Sequence, residues 1–145
     1  MKALLIIGLL LISAYAKSQV YLLIDPAIRR AGLLYNQGFK ESKIGVYVKC
    51  QYGVINVTDF YTKSIKAGAG VSIRFGTDQR VYFGLNYNYF FDTVDDAWDI
   101  DLSRIEPVSI DIGIASGNEM RFKIMFMTDP VNWETSIGFS YQFKH

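Results

Sequence analysis

The chain alternates between apolar and polar positions with a period of two, and the last segment shows this most clearly. From residue 133 to residue 143 one face carries Trp133, Thr135, Ile137, Phe139, Tyr141 and Phe143. The opposite face carries Glu134, Ser136, Gly138, Ser140 and Gln142. Alternation over this length predicts a β-strand with one apolar and one polar side.

The same period recurs in earlier segments that are separated by turn residues. The clearest are residues 44–52, 67–75, 81–89, 108–114 and 120–126. Two shorter segments, 20–25 and 30–36, precede them and end at Asp25-Pro26 and Gln37-Gly38. We therefore predict an all-β fold of about eight strands, closed as an antiparallel up-and-down barrel. Only residues 95–105 have the character of a helical turn.

The connections between the segments are of two kinds. Residues 76–79 and 116–118 are expected to be short turns, whereas 53–65 and 91–106 are expected to be long loops. Short turns at one rim and long loops at the other are typical of barrels that cross an outer membrane.

The residues of the polar face predict which way each face looks. Glycine weakens a strand on a water-exposed surface but suits the crowded interior of a small, strongly curved barrel. The glycines of the polar face are Gly45, Gly68, Gly70, Gly84, Gly113 and Gly138. Aromatic residues lie near the strand ends on the apolar face, where rings suit a membrane interface: Tyr52, Tyr87, Tyr89, Trp133, Tyr141 and Phe143. We therefore expect the apolar face to contact lipid; the alternative is a soluble, exported, lipocalin-like barrel that binds a small apolar ligand inside.

Charged residues on the polar face are then expected to pair inside the lumen, because an isolated buried ion is costly. If residues 116–118 form a three-residue hairpin loop, Asp111 lies directly opposite Lys123. The predicted lumen network consists of Lys49, Arg74, Asp111, Arg121, Lys123 and Glu134. Eight strands enclose just enough room for side chains, so we expect this network to fill the lumen rather than to line an ion path.

The first sixteen residues have the pattern of a secretory signal peptide: Lys2, an apolar stretch from residue 3 to residue 12, and Ala14-Tyr15-Ala16. The apolar stretch is shorter than the roughly 20 residues that a membrane-spanning helix needs. We expect cleavage after Ala16 and a single domain over residues 17–145. Cleavage removes Lys2, so that 14 of the 15 basic residues remain against 14 acidic ones and the mature chain has no net charge. A neutral chain has no general electrostatic attraction to nucleic acid. Cys50 is the only cysteine, so no intramolecular disulfide can form.

The mature chain resembles the small outer-membrane β-barrel proteins of Gram-negative bacteria. The resemblance is most specific in the final segment, where the alternation of residues 137–143 ends on an aromatic side chain, Phe143. It departs from the family by adding Lys144 and His145 after Phe143. The resemblance implies an outer-membrane location, contact with outer-membrane lipid, and recognition of the last strand by the barrel-insertion machinery. We expect a structural or surface-interaction role, carried by the loops near residues 54–65 and 91–106, and no cofactor.

The sequence offers little material for catalysis. His145, the sole histidine, is the last residue, so histidine-based triads and acid–base chemistry would depend on the chain terminus. Outer-membrane barrels that modify lipid, such as those resembling lipid A deacylases, would need a histidine near the outer leaflet. We therefore expect a non-enzymatic protein and no general pore.

An acidic segment between residues 92 and 106 is the one candidate for metal binding. Ca²⁺ and Mg²⁺ prefer oxygen ligands such as carboxylates. The candidate ligands here are Asp95, Asp96, Asp99 and Asp101. Their spacing lacks the order of an EF-hand loop, so we favour a solvated acidic loop.

Overall fold

The computed structural model describes residues 17–26, 29–39, 42–57, 60–95, 106–117 and 122–141. The signal peptide predicted for residues 1–16 lies outside the described residues, as do Arg121, Phe143, Lys144 and His145. Among the residues that are described, no helix is long and apolar enough to cross a membrane.

Eight antiparallel strands follow one another around a closed barrel, each hydrogen-bonded to its sequence neighbours, with β8 returning to β1. They are β1 (Lys17–Asp25), β2 (Arg30–Gly38), β3 (Ile44–Val57), β4 (Phe60–Phe75), β5 (Gln79–Asp95), β6 (Val108–Gly117), β7 (Phe122–Asp129) and β8 (Glu134–Tyr141). The predicted all-β, closed up-and-down barrel of eight strands is confirmed. An open sheet has two edge strands with unpaired backbone groups. Closure of the barrel gives every strand a neighbour on both sides.

We call the end of the barrel where β1 begins and β8 ends the terminal rim, and the opposite end the loop rim. Strands β3, β4 and β5 are the longest, with 14, 16 and 17 residues. The prediction of a long loop at 53–65 is therefore wrong, because β3 and β4 occupy all of that range except the connection at 58–59. Residues 54–57 are Val, Ile, Asn and Val, a composition of high strand propensity, and hairpin pairing between β3 and β4 continues through them. The predicted loop at 91–106 is likewise shorter, since β5 continues to Asp95.

These three strands project past the rest of the barrel at the loop rim. Pairing between β2 and β3 ends with Arg30 opposite Gly53, and pairing between β5 and β6 ends with Tyr87 opposite Val108. Beyond those points the described strand pairing of β3, β4 and β5 is with one another, as a three-stranded extension, and Asn88 N donates to Pro107 O at 2.7 Å at its base.

The last two hairpins differ from the predicted ones. Gly117 lies opposite Lys123, so the three-residue loop at 116–118 and the pairing of Asp111 with Lys123 are wrong. The hairpin between β6 and β7 is centred near residue 120 instead of residue 117, which places Lys123 at the terminal rim and away from Asp111. Trp133 does not begin the last strand either: it lies in the turn before β8 with φ of 56°, a left-handed conformation.

The two faces of the barrel have opposite character. The residues that point outward are mostly apolar and exposed, and many are large, as shown by Leu85 at 62 %, Val48 at 56 % and Ile112 at 44 % exposure. The residues that point inward are mostly polar or charged and buried, and they include Lys49, Lys66 and Asp111. The polar positions of the alternating pattern thus line the lumen and the apolar positions face outward.

Glycines make room for long side chains in the lumen. Tyr47, Gly70, Gly84 and Asp111 occupy one level on four consecutive strands. The ring of Tyr47 lies across this level, so that a Cβ on Gly84 would be 2.9 Å from Tyr47 Cζ. The missing side chain at Gly84 therefore leaves room for the hydroxyl end of the Tyr47 ring.

Replacement of Gly70 tests this close packing. In Gly70→Ala the new Cβ would lie 2.5 Å from the Cα of Gly84 and closer still to the carbonyl oxygen of Phe83, both backbone atoms. We expect a loss of about 1–3 kcal/mol in the free energy of unfolding, typical of overpacking. The measurement is urea unfolding in detergent micelles followed by circular dichroism.

Gly113→Ala is the matched control. It is also an inward glycine, but its Cβ would meet the flexible end of Met127 at 3.1 Å, which can move aside, and the carbonyl oxygen of Phe126 at 3.2 Å, a much longer backbone contact than those at Gly70. Equal losses for the two variants would contradict the proposed role of Gly70.

Candidate functional site in the lumen

The lumen holds a network of ion pairs that join opposite walls of the barrel. The cations come from β2, β3 and β4, and the carboxylates from β6, β7 and β8. All are at least nine-tenths buried: Arg30, Lys49, Lys66, Asp111, Asp129 and Glu134. Alternation places each of these side chains inward, and the small diameter of an eight-stranded barrel lets them meet across the lumen.

Lys66 is the centre of the network near the loop rim. Its Nζ lies 2.6 Å from Asp129 Oδ2 and 2.7 Å from Glu134 Oε2. Arg30 reaches the same carboxylate oxygen of Glu134 with Nη1 at 2.9 Å, and its Nε donates to Ser64 Oγ at 2.8 Å. One lysine and one arginine therefore hold two carboxylates that would otherwise repel each other in a region of low dielectric constant.

A second ion pair lies further from the loop rim, between Lys49 and Asp111. The lysine stem runs over Gly68, where a Cβ would be only 2.8 Å from Lys49 Cε. The ammonium group also lies 3.5 Å from the sulfur of Met127, a weak acceptor. The absence of a side chain on Gly68 is thus what allows Lys49 to cross the lumen.

Neutral polar groups complete the coordination of Asp129. Ser109 Oγ donates to Asp129 Oδ2 at 2.5 Å, and the backbone N–H groups of Val131 and Asn132 each donate to Oδ1 at 3.1 Å. The carboxylate therefore fixes both the lumen network and the turn that leads into β8.

Three tyrosines lie below the ion pairs, towards the terminal rim. The rings of Tyr47 and Tyr82 meet edge to face with centroids 5.4 Å apart, and those of Tyr21 and Tyr82 at 6.4 Å. All three are at most 2 % exposed. Edge-to-face packing of this kind is favourable, and here it fills the lumen beneath the network.

Chemically, this arrangement is suited to holding the walls together. Each carboxylate in the network is engaged by a cation, so none is poised as a general base or nucleophile. In the described part of the chain no group of three or more metal-ligating side chains comes together. Cys50 lies on the outward face, away from the network.

The structure brings together only some of the residues predicted for the network. Lys49, Asp111 and Glu134 belong to it, whereas Arg74 and the half-buried Lys123 lie near the terminal rim. Arg121 is outside the described residues.

Three members of the network were not predicted: Arg30, Lys66 and Asp129. Arg30 begins one of the two shorter segments, Lys66 lies between the expected loop 53–65 and the segment 67–75, and Asp129 lies after the segment 120–126. Extending the alternation of the segment 67–75 by one residue towards the N-terminus places Lys66 on the inward face.

The predicted aromatic residues are on the outside of the barrel. Tyr52, Tyr87, Tyr89 and Tyr141 are each about half exposed on the outward face, and Trp133 is 89 % exposed in its turn. Phe143 and the candidate metal ligands Asp96, Asp99 and Asp101 are outside the described residues, while Asp95 is described only as the last strand position of β5.

Comparison with known proteins gives no relative: no protein family, no curated protein and no solved structure matches the chain.

A double-mutant cycle tests the cross-lumen pair. Asp111→Ala leaves the ammonium of Lys49 buried without its carboxylate, so we expect a loss of about 3–5 kcal/mol in unfolding free energy. Adding Lys49→Met removes the stranded charge and should restore part of that loss. The measurement is urea unfolding of the single and double variants.

Lys123→Met is the control, because the register places Lys123 opposite Gly117 rather than Asp111. The loss of unfolding free energy in Lys123→Met should add to the loss in Asp111→Ala, without coupling between the two. Additive losses for the Lys49 cycle, or coupling in the Lys123 cycle, would refute the observed pairing.

Proposed function

We propose that the protein is a small integral barrel of a Gram-negative outer membrane, exported by the segment 1–16, with a structural or surface-interaction role. It is neither an enzyme nor a general pore. In this proposal its partners are outer-membrane lipid, the barrel-insertion machinery that reads the last strand, and a surface ligand or protein at the loop rim.

The observation that carries the proposal is the nature of the outward face. Of the outward strand positions whose side chains are described, only Lys63, near the loop rim, is charged. The rest of the band is formed by exposed residues such as Val20, Leu33, Phe83 and Ile110. A water-exposed barrel surface would carry charged and polar side chains, whereas an uncharged apolar band is what lipid requires.

The height of this band fits a bilayer. Aromatic rings border it at the terminal rim with Phe122 and Tyr141, and towards the loop rim with Tyr52 and Tyr89. Along β5, Gln79 and Tyr89 mark these two levels. About ten residues at about 3.3 Å each, tilted by about 40°, span about 25 Å. That is the height of the apolar band in outer-membrane barrels.

The lumen supports the proposal over the alternatives. A soluble barrel that binds an apolar ligand would need an apolar cavity, but the inward side chains here include three lysine or arginine and three carboxylate groups in ion pairs. A general diffusion pore would need an open channel, which the cross-lumen pairs and the tyrosines obstruct.

The surface-interaction role is assigned to the loop rim. The extension formed by β3, β4 and β5 raises two strand edges above the band, and the connection at 96–107 follows it in the chain. Rigid strands that carry a connection beyond the membrane suit contact with an external partner.

Arginine substitutions at two depths test lipid contact. Ile112→Arg places a charge near the middle of the apolar band, and we expect a loss of about 2–4 kcal/mol in unfolding free energy in phospholipid vesicles. Ser116→Arg lies on the same face of the same strand at the terminal rim, where the cost should be about 0–1 kcal/mol. An unchanged free energy of unfolding in Ile112→Arg would contradict the proposal that this band faces lipid.

Cell fractionation tests the location. The full chain, expressed in a Gram-negative host, should remain with outer membranes after washing with high salt and should be released by detergent. Recovery in the soluble periplasm without detergent would instead favour the soluble, ligand-binding barrel.

A further inference from the structure

The half of the lumen nearest the terminal rim differs from the half that holds the ion pairs. Arg74 and Arg80 occupy directly opposed positions on β4 and β5, and both are inward. Like charges at opposed cross-strand positions are destabilising unless something compensates them. The only carboxylate described at this rim is Asp78 in the β4–β5 turn, and its Oδ2 accepts from Thr77 at 3.2 Å.

A polar chain extends from Arg80 into the barrel wall. Arg80 Nη1 donates to Ser72 Oγ at 2.7 Å, and Ser72 Oγ donates to Asn36 Oδ1 at 2.7 Å. This chain crosses from β5 through β4 to β2, over Gly45, where a Cβ would be 2.8 Å from Arg80 Nη1. The guanidinium is thereby held in a fixed place, although no carboxylate of the described residues forms an ion pair with it.

In this half of the lumen two side chains, one of them the last member of this chain, have a buried donor without a hydrogen-bond partner among the described residues. Asn36 is 1 % exposed, and its Nδ2 makes no hydrogen bond. The Nε of Arg74 is also buried and unpaired. Buried donors without partners are costly, and native proteins leave few of them. Both lie in a region where the fixed charges described are mainly positive.

We propose that Arg74, Arg80, Ser72 and Asn36 form a binding site for a small oxyanion, which we call the arginine mouth. Guanidinium groups present N–H donors in the geometry that phosphate and carboxylate accept, and the amide of Asn36 adds a neutral donor. The anion takes the place that carboxylates fill in the other half of the lumen. The site depends on the barrel alone and not on the proposed location or surface role.

Phosphate is the probe of choice, and it has two sources: free inorganic phosphate and the phosphate of a lipid headgroup. Because the arginine mouth lies inside the lumen, free phosphate should bind to protein in a nonionic detergent that carries no phosphate. If headgroups supply the anion, adding phosphatidylglycerol to the micelles should compete with inorganic phosphate for the site.

The experiment is calorimetric titration of the folded full chain with inorganic phosphate, at ionic strength held constant with chloride. Wild type should bind saturably. Arg74→Gln and Arg80→Gln should each raise the dissociation constant at least tenfold, since each removes a charged donor. Lys43→Gln is the matched control: Lys43 is exposed at the same rim, and loss of its charge should leave the constant within twofold.

Two results would overturn the proposal. One is no saturable binding of phosphate to wild type, which needs no variant to be interpreted. The other is an equal loss in Lys43→Gln, which would mean general attraction to a basic rim. If an arginine variant fails to fold, Ser72→Ala keeps both charges and should still weaken binding by releasing Arg80.

Discussion

The structure depends on ion pairs that cross the lumen. Taking a charge out of water costs several kcal/mol, which only a close opposite charge and further hydrogen bonds offset. Lys66 between Asp129 and Glu134, with Arg30 beside it, meets that condition. The glycines in the wall of β3–β5 serve this arrangement, because long side chains such as Lys49 need an unobstructed path from one wall to the other.

An ionic interior and an apolar exterior are two results of one alternation. In a strand, the two neighbours of each inward residue point outward. The charged residues occupy the inward positions, so the outer face carries almost no charge. A core of this kind cannot supply the hydrophobic stabilisation of a water-soluble domain. The proposed membrane location would supply the missing apolar environment from outside.

The period of two was enough to predict the eight strands, the closed barrel and the face on which Lys49 and Asp111 lie. It could not predict partners, because contact depends on register and register depends on loop length. A hairpin turn at 116–118 predicts Asp111 opposite Lys123, whereas the observed turn lies further along the chain and Asp111 pairs with Lys49, on a strand that is not adjacent. Lys66 and Asp129 were missed since each stands where charged residues interrupt the apolar pattern, which in sequence resembles a loop.

The distribution of charge among the strands bears on how the barrel assembles. The cations of the network are on β2, β3 and β4, and the carboxylates that neutralise them are on β6, β7 and β8. Lys49 and Lys66 therefore have their carboxylate partners in the other half of the chain, and a sheet that has not closed leaves both ammonium groups without them. Because a buried ion without its partner is costly, we expect these pairs to favour closure of the barrel in one cooperative step.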